Sequence, residues 1–99
     1  MELRVLKYFL MIAREENMTH ASQLLHVTQP TLSRQIRDLE KELGVTLFER
    51  SNHRIVLTQD GLLLRRRAQE IVELAERTQR DFANRDEELC GEIAIGSGE

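Results

Sequence analysis

Between Thr28 and Gly44 the chain reads Thr28-Gln29-Pro30-Thr31-Leu32-Ser33-Arg34-Gln35-Ile36-Arg37-Asp38-Leu39-Glu40-Lys41-Glu42-Leu43-Gly44. On a helix, Pro30, Arg34, Arg37, Asp38 and Lys41 fall on one side, with Thr31 and Ser33 flanking them. These side chains suit hydrogen-bond readout of a polar surface. The guanidinium of Arg34 is a planar fork that matches O6 and N7 of guanine, and the carboxamide of Gln29 can read adenine. The hydroxyls can donate to phosphate oxygens, contacts that fix register without specifying sequence. Covalent chemistry finds no comparable support. His20, His26 and His53 are scattered, and no nucleophile stands beside a base. No metal-ligand spacing exists, and Cys90 is alone. An enzyme is not expected, nor a metal or cofactor in this stretch. His26, at the end of a short helix, is expected to interact with its dipole.

The elements that would position these groups are legible in order. Thr28 can cap a helix, Pro30 is tolerated in a first turn, and Gly44 suits a C-terminus. Leu32, Ile36, Leu39 and Leu43 form its inward stripe. Taken alone, this is also the pattern of an ordinary amphipathic surface helix. Before it, Leu3 to about Glu16 predicts a first helix with Leu3, Leu6, Phe9, Leu10 and Ala13 inward and Val5 and Ile12 widening the apolar face. Thr19 is a candidate N-cap for a short helix over His20–His26, with Ala21, Leu24 and Leu25 buried. Two helices joined through Val27-Thr28 make a helix-turn-helix at about residues 18–37, or a three-helix core that merely looks similar. In the nucleic-acid version the first helix crosses the backbone and the start of the second enters the groove.

Two β-prone runs within residues 47–57 flank the polar tip Ser51-Asn52-His53, which predicts a hairpin wing. Arg50 and Arg54 bracket that tip, placed either to reach phosphates and a minor groove or simply as solvated charges on a turn. Thr58 is expected to cap a long helix with Asp60 in its first turn. No Gly or Pro interrupts residues 62–88, roughly 40 Å of rod. Leu64, Ala68, Ile71, Ala75, Thr78 and Phe82 step as an a/d seam, which asks for a partner helix, most simply that of a second chain. Arg65-Arg66-Arg67 either touches a phosphate backbone or forms a solvated face with Glu70. Residues 89–99 read as a hinge followed by the opening strand, Glu92–Gly96, of a further domain.

Length and charge set bounds. Ninety-nine residues allow one small domain plus a protruding element. No apolar run is long enough to span a membrane and no signal pattern is present, so a cytoplasmic location is expected. The net charge of −3 is unevenly spread. Residues 1–58 carry eight Lys and Arg against seven Asp and Glu, whereas residues 59–99 carry six against ten. Phosphate binding depends on where basic groups cluster more than on their total.

With these residues in hand the chain resembles the N-terminal DNA-binding region of LysR-type transcriptional regulators. The resemblance covers residues 1 to about 96 and rests on four blocks in order: Thr28–Ile36, Leu39–Val45, Leu47–Arg50 and Leu57–Gly61. It implies a mainly α fold, a winged helix-turn-helix (three-helix core plus β-hairpin wing) over residues 1–58, followed by a long dimerisation linker helix over 59–88. It implies base contacts from Gln29, Pro30, Ser33 and Arg34 with Thr31 beside them, backbone contacts from Thr28, Arg50 and Thr58, and a wing contact from Arg54. Arg37 lies on the same helix face and joins the candidate DNA-binding residues. Double-stranded DNA with an interrupted palindrome, a homodimer, and a tetramer in full-length members are the implied partners, with a small-molecule effector on a further C-terminal domain. His53 departs from the pattern, since many members carry Arg there, so a contact at that point is lost or depends on pH. Asn17-Met18, His20 and Ser22 depart around the short helix.

Two other classes compete. A winged-helix module that binds protein predicts no salt-dependent affinity for DNA. An RNA binder would need exposed aromatics for base stacking, and only Tyr8, Phe9, Phe48 and Phe82 are present, three of them at expected core or seam positions.

Overall fold

A computed structural model describes residues 1–91 of the chain, with side-chain surroundings to Arg85. Four helices and one hairpin follow in the order α1 (Leu3–Glu15), α2 (Met18–Leu25), α3 (Gln29–Leu43), β1 (Phe48–Ser51), β2 (Arg54–Leu57) and α4 (Gln59–Gly91). The molecule is long and narrow, 62 × 25 × 19 Å. This is the expected three-helix core with a wing and a linker helix. The strand expected at Glu92–Gly96 lies outside the described residues.

Helix α1 buries Val5, Leu6, Phe9 and Ile12 at three- and four-residue spacing. It stops at Glu16, which adopts the left-handed region (φ 57°) and donates its N–H to Ile12 O. Helix α2 begins earlier than expected. Its cap is Asn17, whose Oδ1 accepts from His20 N at 2.8 Å, and Thr19 is inside the helix. An extended residue with a short carboxamide satisfies one of the free N–H groups of the first turn, so the helix starts one step before the threonine. The inward face also differs. Ala21 is fully buried, but Leu24 is 43% exposed, and Ser22 beside Ala21 is buried. Ser22 can lie inward because its hydroxyl donates to Thr19 O at 2.7 Å, which leaves no orphaned polar group. His26 does close α2, through its backbone: it is left-handed (φ 61°) and its N–H reaches Gln23 O and Ser22 O.

Helix α3 starts as the sequence predicts. Thr28 Oγ1 accepts from Thr31 N, Pro30 sits in the first turn and Gly44 (φ 73°) ends the helix. Leu32, Ile36 and Leu39 are buried, whereas Leu43 is half-exposed because the stripe runs past the end of the core. The hairpin pairs Phe48 with Leu57 and Ser51 with Arg54, leaving a two-residue turn. Asn52 and His53 both have positive φ (50° and 65°), the geometry of a I′ turn that matches strand twist. Leu47 lies just outside the strand and is fully buried. Its N–H donates to Glu40 Oε2 at 2.7 Å and its carbonyl accepts from Thr58 N at 3.0 Å. This residue is the root of the wing.

Helix α4 is capped by Thr58, whose Oγ1 accepts from Gly61 N at 3.0 Å. It runs to Gly91, three residues past the expected end at Glu88, since no glycine or proline intervenes between Gly61 and Gly91. Its first turns belong to the core. Leu64 and Ala68 pack into the cluster formed by Phe9, Leu6, Ile12, Leu32, Leu47 and Ile55, and Val72 is the last α4 residue against it. Phe9 meets Phe48 with ring centroids 5.2 Å apart, which ties the wing to α1.

Candidate nucleic-acid interface

The surface that could hold a polyanion is assembled from the start of α3, the start of α2 and the wing. The leading turns of α3 turn Pro30 and Arg34 away from the buried Leu32–Ile36–Leu39 stripe, with Thr31 and Ser33 half-buried at the flanks and Gln29 half-buried at the helix start. Arg34 is exposed and makes no hydrogen bond or ion pair among the described residues, so its five donors are free. Ser33 Oγ accepts from Arg37 Nη1 at 3.0 Å, which leaves the serine proton available and turns Arg37 back along its own helix. Thr28 Oγ1 lies 2.7 Å from Thr31 Oγ1 while capping Thr31 N. With the cap hydroxyl donating, the Thr31 proton is the one left to point outward.

Across from this turn lies a polar cleft of about 270 Å³. Asn17 and Thr19 at the start of α2, Gln29 at the start of α3, and Arg50, His53 and Arg54 on the wing line it. Arg50 is exposed and has no ion-pair partner among the described residues. Arg54 is paired with the Glu16 carboxylate, and Ile55 N donates to Glu16 O at 3.3 Å. Thr58 is further back. Its hydroxyl donates to Thr46 O and accepts from Gly61 N, so both functions serve the junction of wing and α4. Arg67 pairs with Glu70 at 3.1 Å, in keeping with a solvated face.

Spacing alone gave no sign of two residues that hold this arrangement. Glu40 is one turn from the end of α3, yet its carboxylate fixes Leu47 seven residues on. Glu16 acts across 38 residues on Arg54. Gly61, in the Leu57–Gly61 block, has a steric role: a Cβ there would lie 2.2 Å from Leu47 O and 2.8 Å from Leu57 Cδ2.

The seam expected on α4 is corrected at its first two positions. Leu64 and Ala68 are 9% and 0% exposed inside their own domain, because α1 packs across that face. Ala75 is half-buried, while Ile71, Thr78 and Phe82 are exposed. The free apolar stripe keeps Ile71 and Phe82 of that seam and takes Leu63 and Leu74 in place of Leu64 and Ala75, with Arg67 and Thr78 between them. Among the described residues no helix is long and apolar enough to cross a membrane, and no group of three or more His, Cys, Asp or Glu could hold a metal ion.

A family model described as "Bacterial regulatory helix-turn-helix protein, lysR family" matches residues 3–62. The "HTH-type transcriptional regulator BsdA" of Bacillus subtilis (strain 168) is 42% identical over 98 residues, 98% of this chain and 34% of that protein. The chain thus spans about a third of the length of such relatives. A solved CbnR DNA-binding-domain–DNA complex aligns with TM-score 0.78 and 46% identity, covering 85% of this chain and 98% of that one. Vibrio fischeri DarR, solved in complex with DNA, aligns with TM-score 0.82 and 35% identity over 88% of this chain and 30% of DarR.

Proposed function

The chain belongs to the lysR family of bacterial regulatory helix-turn-helix proteins, and from that premise we propose that it binds double-stranded DNA sequence-specifically as part of a transcription regulator. The observation that carries this reading is the unengaged Arg34 guanidinium on the leading turn of α3, with the opposite face of that helix buried. A helix anchored on one side and free on the other can lie in a major groove with its first turns against base edges. Arg34 and Gln29 then read bases, with Pro30, Thr31 and Ser33 packed beside them. Arg50 supplies a phosphate contact at the wing, and Arg37, His53 and Arg54 add to it on the flanking backbone. Thr28 and Thr58 reach phosphate only by giving up hydroxyl bonds they already make, so their part in register is chiefly to hold α3 and the wing in place.

The partner at the level of assembly is a second copy of the chain, docked through the Leu63–Ile71–Leu74–Phe82 stripe with Thr78 within it and Ala75 at its edge. Two reading helices on one dimer call for an interrupted, roughly palindromic site. Tetramer formation and binding of a small-molecule effector belong to a full-length regulator. The test is fluorescence anisotropy of a labelled promoter fragment from upstream of the protein's own gene, beside a scrambled duplex, across a salt series. Preference for the promoter with affinity falling steeply as salt rises is the expected result. Absence of binding to either duplex at low salt would point to a protein-binding module instead.

A further inference from the structure

Two arginines border the cleft between the wing and α2, and they stand in opposite states. Arg50 has no ionic partner among the described residues, whereas Arg54 is held by Glu16, whose carboxylate is the acidic group lining that cleft. The Glu16 side chain is not needed where it sits. The end of α1 is closed by the backbone N–H of Glu16 on Ile12 O, and the wing is already tied down by Ile55 N on Glu16 O. Moreover Glu16 has φ 57°, a left-handed conformation that glycine adopts freely and a glutamate adopts at a cost. The only polar partner its carboxylate has among the described residues is Arg54.

We propose that Glu16 is an internal stand-in for a DNA phosphate: it occupies Arg54 in the free protein and must be exchanged for a backbone phosphate when the wing docks. The inference rests on the DNA-binding reading and adds a residue to it. The exchange needs no change in fold, since one carboxylate leaves the guanidinium and one phosphate oxygen takes its place. Both partners are well exposed (64% for Arg54 and 42% for Glu16), so the pair is weak enough to be broken by a duplex. The main-chain bond from Ile55 survives the exchange and keeps the wing in register. The consequence is functional. Every duplex that engages the wing has to separate Glu16 from Arg54, which lowers the purely electrostatic affinity for unrelated DNA.

The experiment is an anisotropy titration of a labelled mixed-sequence duplex over a salt series, using the 99-residue chain and the variants Glu16→Gln, Arg54→Gln and the double variant. Glu16→Gln is expected to tighten binding about two- to fivefold at low salt, the scale of an exposed ion pair. It is also expected to steepen the dependence of affinity on salt, because Arg54 then exchanges with DNA alone. In the Arg54→Gln background the same change is expected to do nothing. Glu16→Gly, which suits the left-handed backbone, is expected to reproduce the tightening and so separates it from any loss of fold. Unchanged or weaker binding by Glu16→Gln overturns the proposal, as does a tightening that persists without Arg54, which would make Glu16 a simple repulsive charge. If the parent chain shows no salt-dependent affinity at all, the DNA-binding reading falls and this inference with it.

Discussion

Arg34 and Arg50 differ from Arg37 and Arg54 in having nothing to give up on binding, and of the two only Arg34 stands on the leading turn of α3. Arg37 is engaged with Ser33 and Arg54 with Glu16, so their donors are partly spent before a ligand arrives. Replacing Arg34 by Ala is therefore expected to cost about 1–3 kcal/mol on a matched duplex and to relax the base preference at one position. Anisotropy on matched and scrambled duplexes checks this, and equal losses on both would move Arg34 from a base to a phosphate. Gly61 is decisive for a different reason. An alanine in a first helical turn is ordinarily favourable, by about 1 kcal/mol over glycine. Here the added methyl meets the Leu47 carbonyl at 2.2 Å, and that oxygen is already bonded to Thr58 N. Gly61→Ala is expected to destabilise the fold by about 1–3 kcal/mol, the range for overpacking, read as a lowered midpoint in urea unfolding.

At the scale of elements, the parts written in local signals were legible. Thr28, Pro30 and Gly44 punctuate α3, and its buried residues fall on the stripe read from their spacing. The hairpin was legible too, because two β-prone runs flank a polar tip. What the spacing hid was anything settled by a distant partner. Leu24 has the residue type of a core position yet lies on the open side of α2, while Ser22 faces inward with its hydroxyl satisfied by the Thr19 carbonyl, an outcome set by how α1 and α3 pack on α2. Leu64 and Ala68 fit a seam by period, but α1 covers that side of α4 first. Within the candidate interface, the donors of α3 were readable, whereas the engagement of Arg54 by Glu16 required the folded wing. The root of the wing gives a test at this scale. Glu40→Ala leaves the part-buried N–H of Leu47 without its acceptor, an expected loss of about 1–3 kcal/mol. Hydrogen exchange should locate the damage, with amides of residues 47–57 losing protection before those of α1.

The whole molecule is a small core with a rod that outruns it. Helix α4 has 33 residues, yet its last residue packed on the core is Val72. Beyond that point the one tie to the domain among the described residues is the exposed Lys7–Glu76 pair at 3.9 Å, which contributes little. Most helical stability in proteins comes from packing an apolar face, which this segment lacks, and it displays Leu74 and Phe82 at 54% and 57% exposure. In the dimer proposed above, a second copy would cover those side chains, supply the missing packing and set two reading helices at a fixed separation. The double variant Leu74→Glu with Phe82→Glu places like charges opposite one another in such an interface while leaving Leu64 and Ala68 in the core. It is expected to sediment as a monomer with the unfolding midpoint of residues 3–72 nearly unchanged. Its affinity for a duplex with two half-sites should fall by about 10²–10⁴, the scale of lost bivalency, and its affinity for a single half-site should hold. Leu64→Ala makes the contrast, because it removes core packing and is expected to cost about 2–5 kcal/mol of stability without selectively breaking the dimer. A Leu74→Glu, Phe82→Glu protein that remained dimeric would place the assembly face on another side of α4.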